Sequence, residues 1–388
     1  MSVNLLEHQG KHLLAETGLT VPRGETVATP DAAGSAADRI GGRVVCKAQV
    51  ASGKRGKAGA VRLVESAEEA RTVAGELLGS VVGGHEVHEL VVEQAVDIGS
   101  ELYAAVLDDA SSKSPLVLFS TRGGMDIEEV HAHTPEQVHT LAVDVRTGLD
   151  LDGATDLLAG SDLPIAHRAV VAAALLGIYR AYVDNDASLV EVNPLAVTTG
   201  GDVVALDAKL TVDAGSVPRQ RDRLERLPGG PPPEPGTELE RRGRELGLTY
   251  IELDGDVGVL ANGAGLTMTT LDAVHHFGGR PANFLEIGGD AYTKATPALE
   301  LVLSNPRVKS LLVNFCGAFA RTDVMTGGVL DAIDALQPTL PIAFTIHGTG
   351  EDEAVALVRE RLGVQPYDLM DDAVRSAVGA AAGAREDA

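Results

Sequence analysis

The chain has 388 residues, enough for two or three domains with full cores at roughly 100–200 residues per domain. Lys and Arg number 32 against 56 Asp and Glu, a formal net charge of −24 that repels nucleic acid and anionic membrane surfaces but tolerates one small anion in a local basic pocket. The 44 glycines, 3% aromatics and absence of Trp suit ligand-approaching α/β loops rather than base-stacking platforms.

An amphipathic opening, Leu5-Leu6 with Leu13-Leu14 two turns later, stops at Gly18. It carries Glu7, His8, Lys11, His12 and Glu16, so no signal peptide is expected there. The longest apolar run, 169–178, is about half a membrane span, so a cytoplasmic protein without membrane contact is expected. Strand-like runs follow at 44–50, 89–93, 102–107 and 116–120. They are not separated by one regular helix each, so the first part reads as α+β. Residues 219–247 read RQRDRLERLPGGPPPEPGTELERRGRELG, with five prolines between Pro228 and Pro235. A Pro/Gly stretch between charged flanks reads as a semi-rigid linker, which divides the chain into domains 1–235 and 236–388.

The second part alternates. Strands are expected at 256–261, 282–287, 308–315 and 342–346, and helices up to 277, over 295–303, 323–336 and 351–362. Each strand runs into a Gly-containing loop, the pattern of a doubly wound parallel sheet whose ligand crevice lies at the strands' carboxyl ends. An Ala/Gly tail closes the chain. Cys46 and Cys316 sit inside apolar runs and read as reduced, buried hydrophobes.

Four constellations could carry chemistry. Residues 47–59, KAQVASGKRGKAG, put Lys47 on a buried-looking strand and Lys54, Arg55 and Lys57 among Gly53, Gly56 and Gly59. Glycines let backbone N–H groups approach phosphate oxygens and the cations neutralise them; a solvated basic turn is the alternative. Glu93, Asp97 and Glu101 bracket a short connection between strands, as a nucleotide hinge requires, although acids at strand ends are common. In the third, a hairpin folded about Gly200 pairs residues whose numbers sum to about 400. Asn193 then faces Asp207 and Glu191 faces Lys209, all on one face, an oxygen-ligand set suited to Mg²⁺ beside a phosphate; a surface hairpin with one ion pair is the alternative. The fourth, Asn262-Gly263-Ala264-Gly265 opening a helix with Glu286 after the next strand, partly matches a dinucleotide fingerprint, but Met268 replaces its third glycine. His131 and His133 beside Glu128 and Glu129 read as a metal pair or a solvated turn. His347, before a helix N-terminus, is a minor phosphate-carrying candidate.

Together these residues resemble the succinyl-CoA synthetase (ADP-forming succinate–CoA ligase) β-subunit family. The match spans nearly the whole chain, in family order: 6–11, 53–59, 101–103, 191–195, 206–209, 262–266, 282–285 and 313–314. The resemblance implies an ATP-grasp domain followed by a flavodoxin-like ligase domain. It implies that Lys47, Gly53, Lys54, Arg55, Glu93, Val96 and Glu101 bind ATP, with GTP left open, and that Asn193 and Asp207 hold Mg²⁺. Glu191 would steady a phosphohistidine on a partner α subunit, which also carries the CoA site. Asn262 and the turn Gly317, Ala318, Phe319 and Ala320 would border the succinate. The implied reaction is succinate + CoA + ATP ⇌ succinyl-CoA + ADP + phosphate.

The sequence departs from the family at Ser52-Gly53-Lys54, Glu286, Asp290, Ala318-Phe319 and Thr345, the last standing where an Arg is usual. Most of these departures fall in acid-facing turns. They leave open another acid such as malate, a non-catalytic paralogue that still binds its partner, and a nicotinamide-dependent oxidoreductase.

Overall fold

Between Ala187 and Thr198, buried Val190 and Val192 alternate with half-buried Leu189, Glu191 and Asn193, the period of a strand with one face on a core. In the computed structural model, which describes residues 2–50, 55–56, 58–232, 236–288 and 291–386, this strand is central to the first of two units, Met1–Pro235 and Gly236–Ala388.

The first unit contains β1 (Ser2–Asn4), α1 (Glu7–Glu16), β2 (Gly24–Val27), α2 (Pro30–Ile40), β3 (Val44–Ala48), β4 (Val61–Val64), α3 (Ala67–Leu77), β5 (Val81–Val82), β6 (His85–Glu86) and β7 (Leu90–Gln94). It continues with β8 (Ile98–Asp109), β9 (Ser114–Ser120), α4 (Ile127–His133), β10 (His139–Ala142), α5 (Leu151–Ala159), α6 (Ile165–Asp184), β11 (Ala187–Thr198), β12 (Val203–Ala205), β13 (Lys209–Asp213) and α7 (Val217–Glu225). The large sheet runs β1-β13-β11-β8-β9-β10, with β12 beside β11, and a smaller one runs β2-β7-β3-β4. Both are antiparallel throughout, the α+β arrangement expected. α1 and α6 cover the large sheet's inner face, where Leu13, Leu14, Leu175 and Ile178 meet Val190, Val192 and Leu195. The hairpin keeps its expected register on both sides of residues 206–208: Leu195 pairs with Ala205, and Glu191 with Lys209.

In the second unit lie α8 (Glu238–Glu245), β14 (Thr249–Glu252), β15 (Val257–Ala261), α9 (Ala264–His276), β16 (Asn283–Glu286), α10 (Ala291–Leu303), β17 (Ser310–Gly317), α11 (Thr322–Leu336), β18 (Ile342–Gly348), α12 (Glu351–Leu362) and α13 (Met370–Glu386). The sheet order is β14-β16-β15-β17-β18. β15 to β18 are parallel and β14 runs antiparallel at the edge. Leu311, Val313 and Phe315 join the core with α10, α11 and α12, while Leu312 faces α13 with Val257 and Ala343. A strand buried on both faces needs helices on both.

One expectation, the burial of Cys316, needs correction, and two segments given no secondary-structure expectation are helical. The charged flanks of the linker are helical, as α7 and α8; α8 starts at a capping box between Thr237 and Glu240 (3.3 and 3.0 Å). The Ala/Gly tail is α13: Ala373, Val374, Ala377 and Ala381 form one buried face against the sheet, and small residues at helical spacing suffice for close packing. Cys316 is exposed, whereas Cys46 is buried and its thiol is pushed up to about 11 by desolvation. Among the described residues no helix is long and apolar enough to cross a membrane.

Candidate functional site

The helix α1 starts the site of the first unit. Its Glu7 and Lys11, one turn apart, point the same way and are buried at 3% and 5% exposure. Lys11 Nζ reaches Glu7 Oε1 at 2.6 Å and Glu93 Oε2 at 2.7 Å. On the smaller sheet, Val45 of β3 pairs with Glu93 of β7. Lys47 on β3 closes the group, with Nζ 2.6 Å from Glu93 Oε1, 3.0 Å from Glu7 Oε1 and 2.5 Å from the Leu206 carbonyl. Arg55 completes it, Nη1 to Glu7 Oε2 at 2.7 Å and Nη2 to Asp207 Oδ1 at 2.6 Å.

Isolated charges this deep would cost several kcal/mol each, so they persist only as a compensated network. Burial pushes the Glu7 carboxyl up, but Lys11, Lys47 and Arg55 overturn that and hold it well below the usual carboxylate range. Burial likewise opposes the charge on Lys47, and Glu7, Glu93 and Asp207 outweigh it and raise the ammonium. Asp207 is pushed up, by desolvation first and by the Glu7 charge second, against the pull of Arg55, Lys47 and Lys11.

This network floors a cavity of about 610 Å³ whose lining includes Glu7, Lys47, Arg55, Glu93, Val96, Glu191, Asn193 and Asp207. Val45, Val61, Leu63, Val96 and Ile98 supply an apolar wall, the mixture of apolar surface and few convergent polar groups that a small-molecule site requires. Asn193 is held from the large sheet's side: its Oδ1 accepts from Gly124 N at 2.8 Å and its Nδ2 donates to the Met125 carbonyl at 2.9 Å. The Asn193–Pro194 peptide is cis. Asn193 Oδ1 and the Asp207 carboxylate, 36% exposed, form an oxygen donor set that fits a hard divalent cation whose other ligands are phosphate and water. Glu191 accepts from the Tyr103 hydroxyl at 3.4 Å. Its carboxyl is pushed up by desolvation first, with Asp207 and Glu128 adding and Lys209 opposing.

Glu101 is outside this cavity lining. It lies against Gly124, where a Cβ would come within 2.1 Å of its Oε2. Gly53 and Lys54, like Lys57, fall outside the described residues. Among the described residues no three His, Cys, Asp or Glu side chains converge on a metal, so His131 and His133 do not form one with Glu128 and Glu129. A second cavity of about 650 Å³, at the Thr198–Gly201 turn, has Arg122, Asp162 and His167 in its lining and contains none of the expected residues.

In the second unit the loops after β15, β17 and β18 gather at the strands' carboxyl ends. Asn262 donates from Nδ2 to the Cys316 carbonyl and accepts from the Cys316 N–H, both at 2.8 Å. The 317–322 turn is zipped to the next loop: Thr349 N donates to Gly317 O and Thr322 N to Thr349 O, both at 2.8 Å. The Thr349 hydroxyl donates to Ala318 O at 2.9 Å. Phe319 projects fully into solvent, and Thr345 is fully buried with its hydroxyl 3.4 Å from His347 Nε2. Asp290 lies outside the described residues.

The ATP-grasp domain family matches residues 4–197 and the CoA-ligase family residues 260–377. The succinate–CoA ligase (ADP-forming) subunit beta of Rubrobacter xylanophilus is 44% identical over 97% of this chain and 98% of its own length. That of Cupriavidus taiwanensis is 40% identical over 98% and 100%. The chain belongs to the succinate–CoA ligase (ADP-forming) beta-subunit family. Its fold is shared with an ATP citrate lyase from Methanothrix soehngenii, solved with citrate and coenzyme A, at a TM-score of 0.72 and 23% identity over 98% of this chain and all of that one.

Membership in this ligase family replaces the nicotinamide reading of Asn262–Gly265 and Glu286. Sequence reasoning assigned no role to Glu7, Lys11 or Tyr103. An acid and a lysine one turn apart on an amphipathic opening was the available signal for the first two. Nothing in the sequence pointed to the backbone of Gly124 and Met125 as the anchor of Asn193.

Proposed function

We propose that this chain is the Mg-ATP- and acid-binding subunit of an ADP-forming succinate–CoA ligase, and that it works with an α subunit that supplies the phosphohistidine and the CoA site. The observation that carries the reading is the buried network of Lys47, Arg55 and Asp207, which borders one cavity together with Asn193. Lys47 and Arg55 bind the phosphates, together with Gly53 and Lys54. The wall at Val96 takes the base, with Glu93 at its floor, and Glu101 supports the hinge from behind Gly124. Asn193 and Asp207 hold Mg²⁺, which neutralises charge on the transferring phosphoryl group. Glu191 orients the partner's imidazole; its raised carboxyl is held by Tyr103, and covalent relay through that histidine divides one difficult step into easier ones. Asn262 and the turn Gly317, Ala318, Phe319 and Ala320 bind the acid at the crevice of the second unit.

A second reading keeps the chemistry and changes the acid, to malate for instance. Thr345 is uncharged and fully buried, so it brings no cation to the acid-facing turns. Co-expression with a candidate α subunit, followed by assays over several dicarboxylic acids with ATP and GTP, separates these readings. Turnover with succinate and ATP at the highest kcat/KM supports the first. Preference for another acid supports the second, and assembly without turnover on any acid overturns both.

A further inference from the structure

Three cations close on one carboxylate in the first turn of α1. Glu7 Oε1 takes Lys11 at 2.6 Å and Lys47 at 3.0 Å, and Oε2 takes Arg55 at 2.7 Å. The Glu7 side chain is 1% exposed. Among the described residues the network balances Lys11, Lys47 and Arg55 against Glu7, Glu93 and Asp207, and Asp207 alone opens to solvent. These members are unequal in freedom. If Asp207 turns to a metal, Arg55 loses the partner of its Nη2 arm and keeps the Glu7 ion pair and the Ala48 carbonyl, 3.2 Å away, on its Nη1 arm. Lys47 keeps both Glu7 and Glu93. Glu7 is therefore the fixed point about which the two cavity-facing cations are held, and Lys11, which is absent from the cavity lining, offsets its charge from behind.

We infer that Glu7 is a positioning residue for nucleotide binding: it holds the Lys47 ammonium and the Arg55 guanidinium towards the cavity, so that Arg55 can exchange Asp207 for a phosphate oxygen without moving its other arm. The inference rests on the assignment of Lys47 and Arg55 as phosphate ligands. The role is one of geometry as well as charge. A carboxylate one methylene shorter keeps the charge but does not reach three cations at these distances.

The test uses the full chain co-expressed with its α subunit and titrated with Mg²⁺ and a non-hydrolysable ATP analogue by calorimetry. Glu7→Gln alone leaves a surplus buried cation and threatens folding, so the decisive variants are Glu7→Asp and the charge-balanced Glu7→Gln/Lys11→Met. The expected result is an analogue Kd raised about tenfold or more in both, with the ATP KM raised in step and kcat changed less than about threefold, the signature of lost uniform binding. Wild-type Kd in Glu7→Gln/Lys11→Met, or in Glu7→Asp, would mean that Glu7 only balances charge, and would overturn the inference. Lys47→Met serves as the control on the underlying reading. Wild-type affinity in Lys47→Met overturns the nucleotide assignment and the inference together, whereas weak binding in Lys47→Met beside wild-type binding in the Glu7 variants overturns the inference alone.

Discussion

Arg55 donates to Asp207, Nη2 to Oδ1 at 2.6 Å, while its other arm rests on Glu7. One guanidinium thus spans from α1 to the residues between β12 and β13, and it occupies one oxygen of the carboxylate proposed to hold Mg²⁺. A charge-assisted contact of this length is strong, but Asp207 is the exposed member of the network and the one free to change partner.

Replacing Asp207 with Ala removes that metal ligand. Mg-ATP-dependent phosphorylation of the partner histidine, followed with radiolabelled ATP, is expected to fall by about 10²-fold or more, because charge stabilisation by a bound cation is worth several kcal/mol. Phosphorylation at the wild-type rate would remove Asp207 from the metal site.

Glu191 makes stability depend on pH in a defined direction. Its carboxyl is pushed above the ordinary 4.5, by burial first, so the folded state binds this proton more tightly than the unfolded state does. The stabilisation is fully present below about pH 4.5 and is lost as pH rises through the raised value. Glu191→Gln abolishes the titration, and its Tm relative to the wild type is expected to climb as pH rises above about 4.5. The same variant should bind ATP normally and pass phosphate more slowly. Parallel Tm–pH curves, or lost ATP binding, would contradict this account.

Asn262 acts as a two-way clamp on the Cys316 backbone. Asn262→Asp keeps the acceptor but sets a carboxylate against the Cys316 carbonyl, which should destabilise the second unit by about 1–3 kcal/mol and raise the acid KM. Chemical denaturation with coincident probes would read the first effect, and initial-rate kinetics the second.

Gly348 has φ of +108° and lies so close to the neighbouring loop that a Cβ would stand 2.0 Å from the Gly317 carbonyl oxygen. Gly348→Ala must therefore displace the 317–320 turn. The expected result is a loss of about 1–3 kcal/mol or more together with weakened acid binding, while ATP binding is unchanged. Wild-type Tm and acid KM would show that the turn yields freely.

The hairpin was legible in the sequence because its side-chain period is two and its turn glycines limit where the chain can reverse. Those two conditions are enough to place Glu191 opposite Lys209. The β-α alternation of residues 256–362 was legible for the same reason: each apolar run is punctuated by glycine. α13 was not, because its buried face is built from Ala373, Ala377 and Ala381, whose small side chains give little contrast in hydropathy. The exposure of Cys316 was hidden as well, since an apolar run does not say where its strand emerges from the sheet.

By itself, the sequence determined the ligase family, the two successive folds, the hairpin register and the identity of the charges near residue 50. Only the tertiary structure decided which partners those charges meet. Lys47 meets Glu7, and Arg55 meets Asp207, across 40 and 152 positions of chain. Contacts of that kind leave no local periodicity to read. They follow from four elements converging on one buried point, where desolvation makes each charge depend on its opposite.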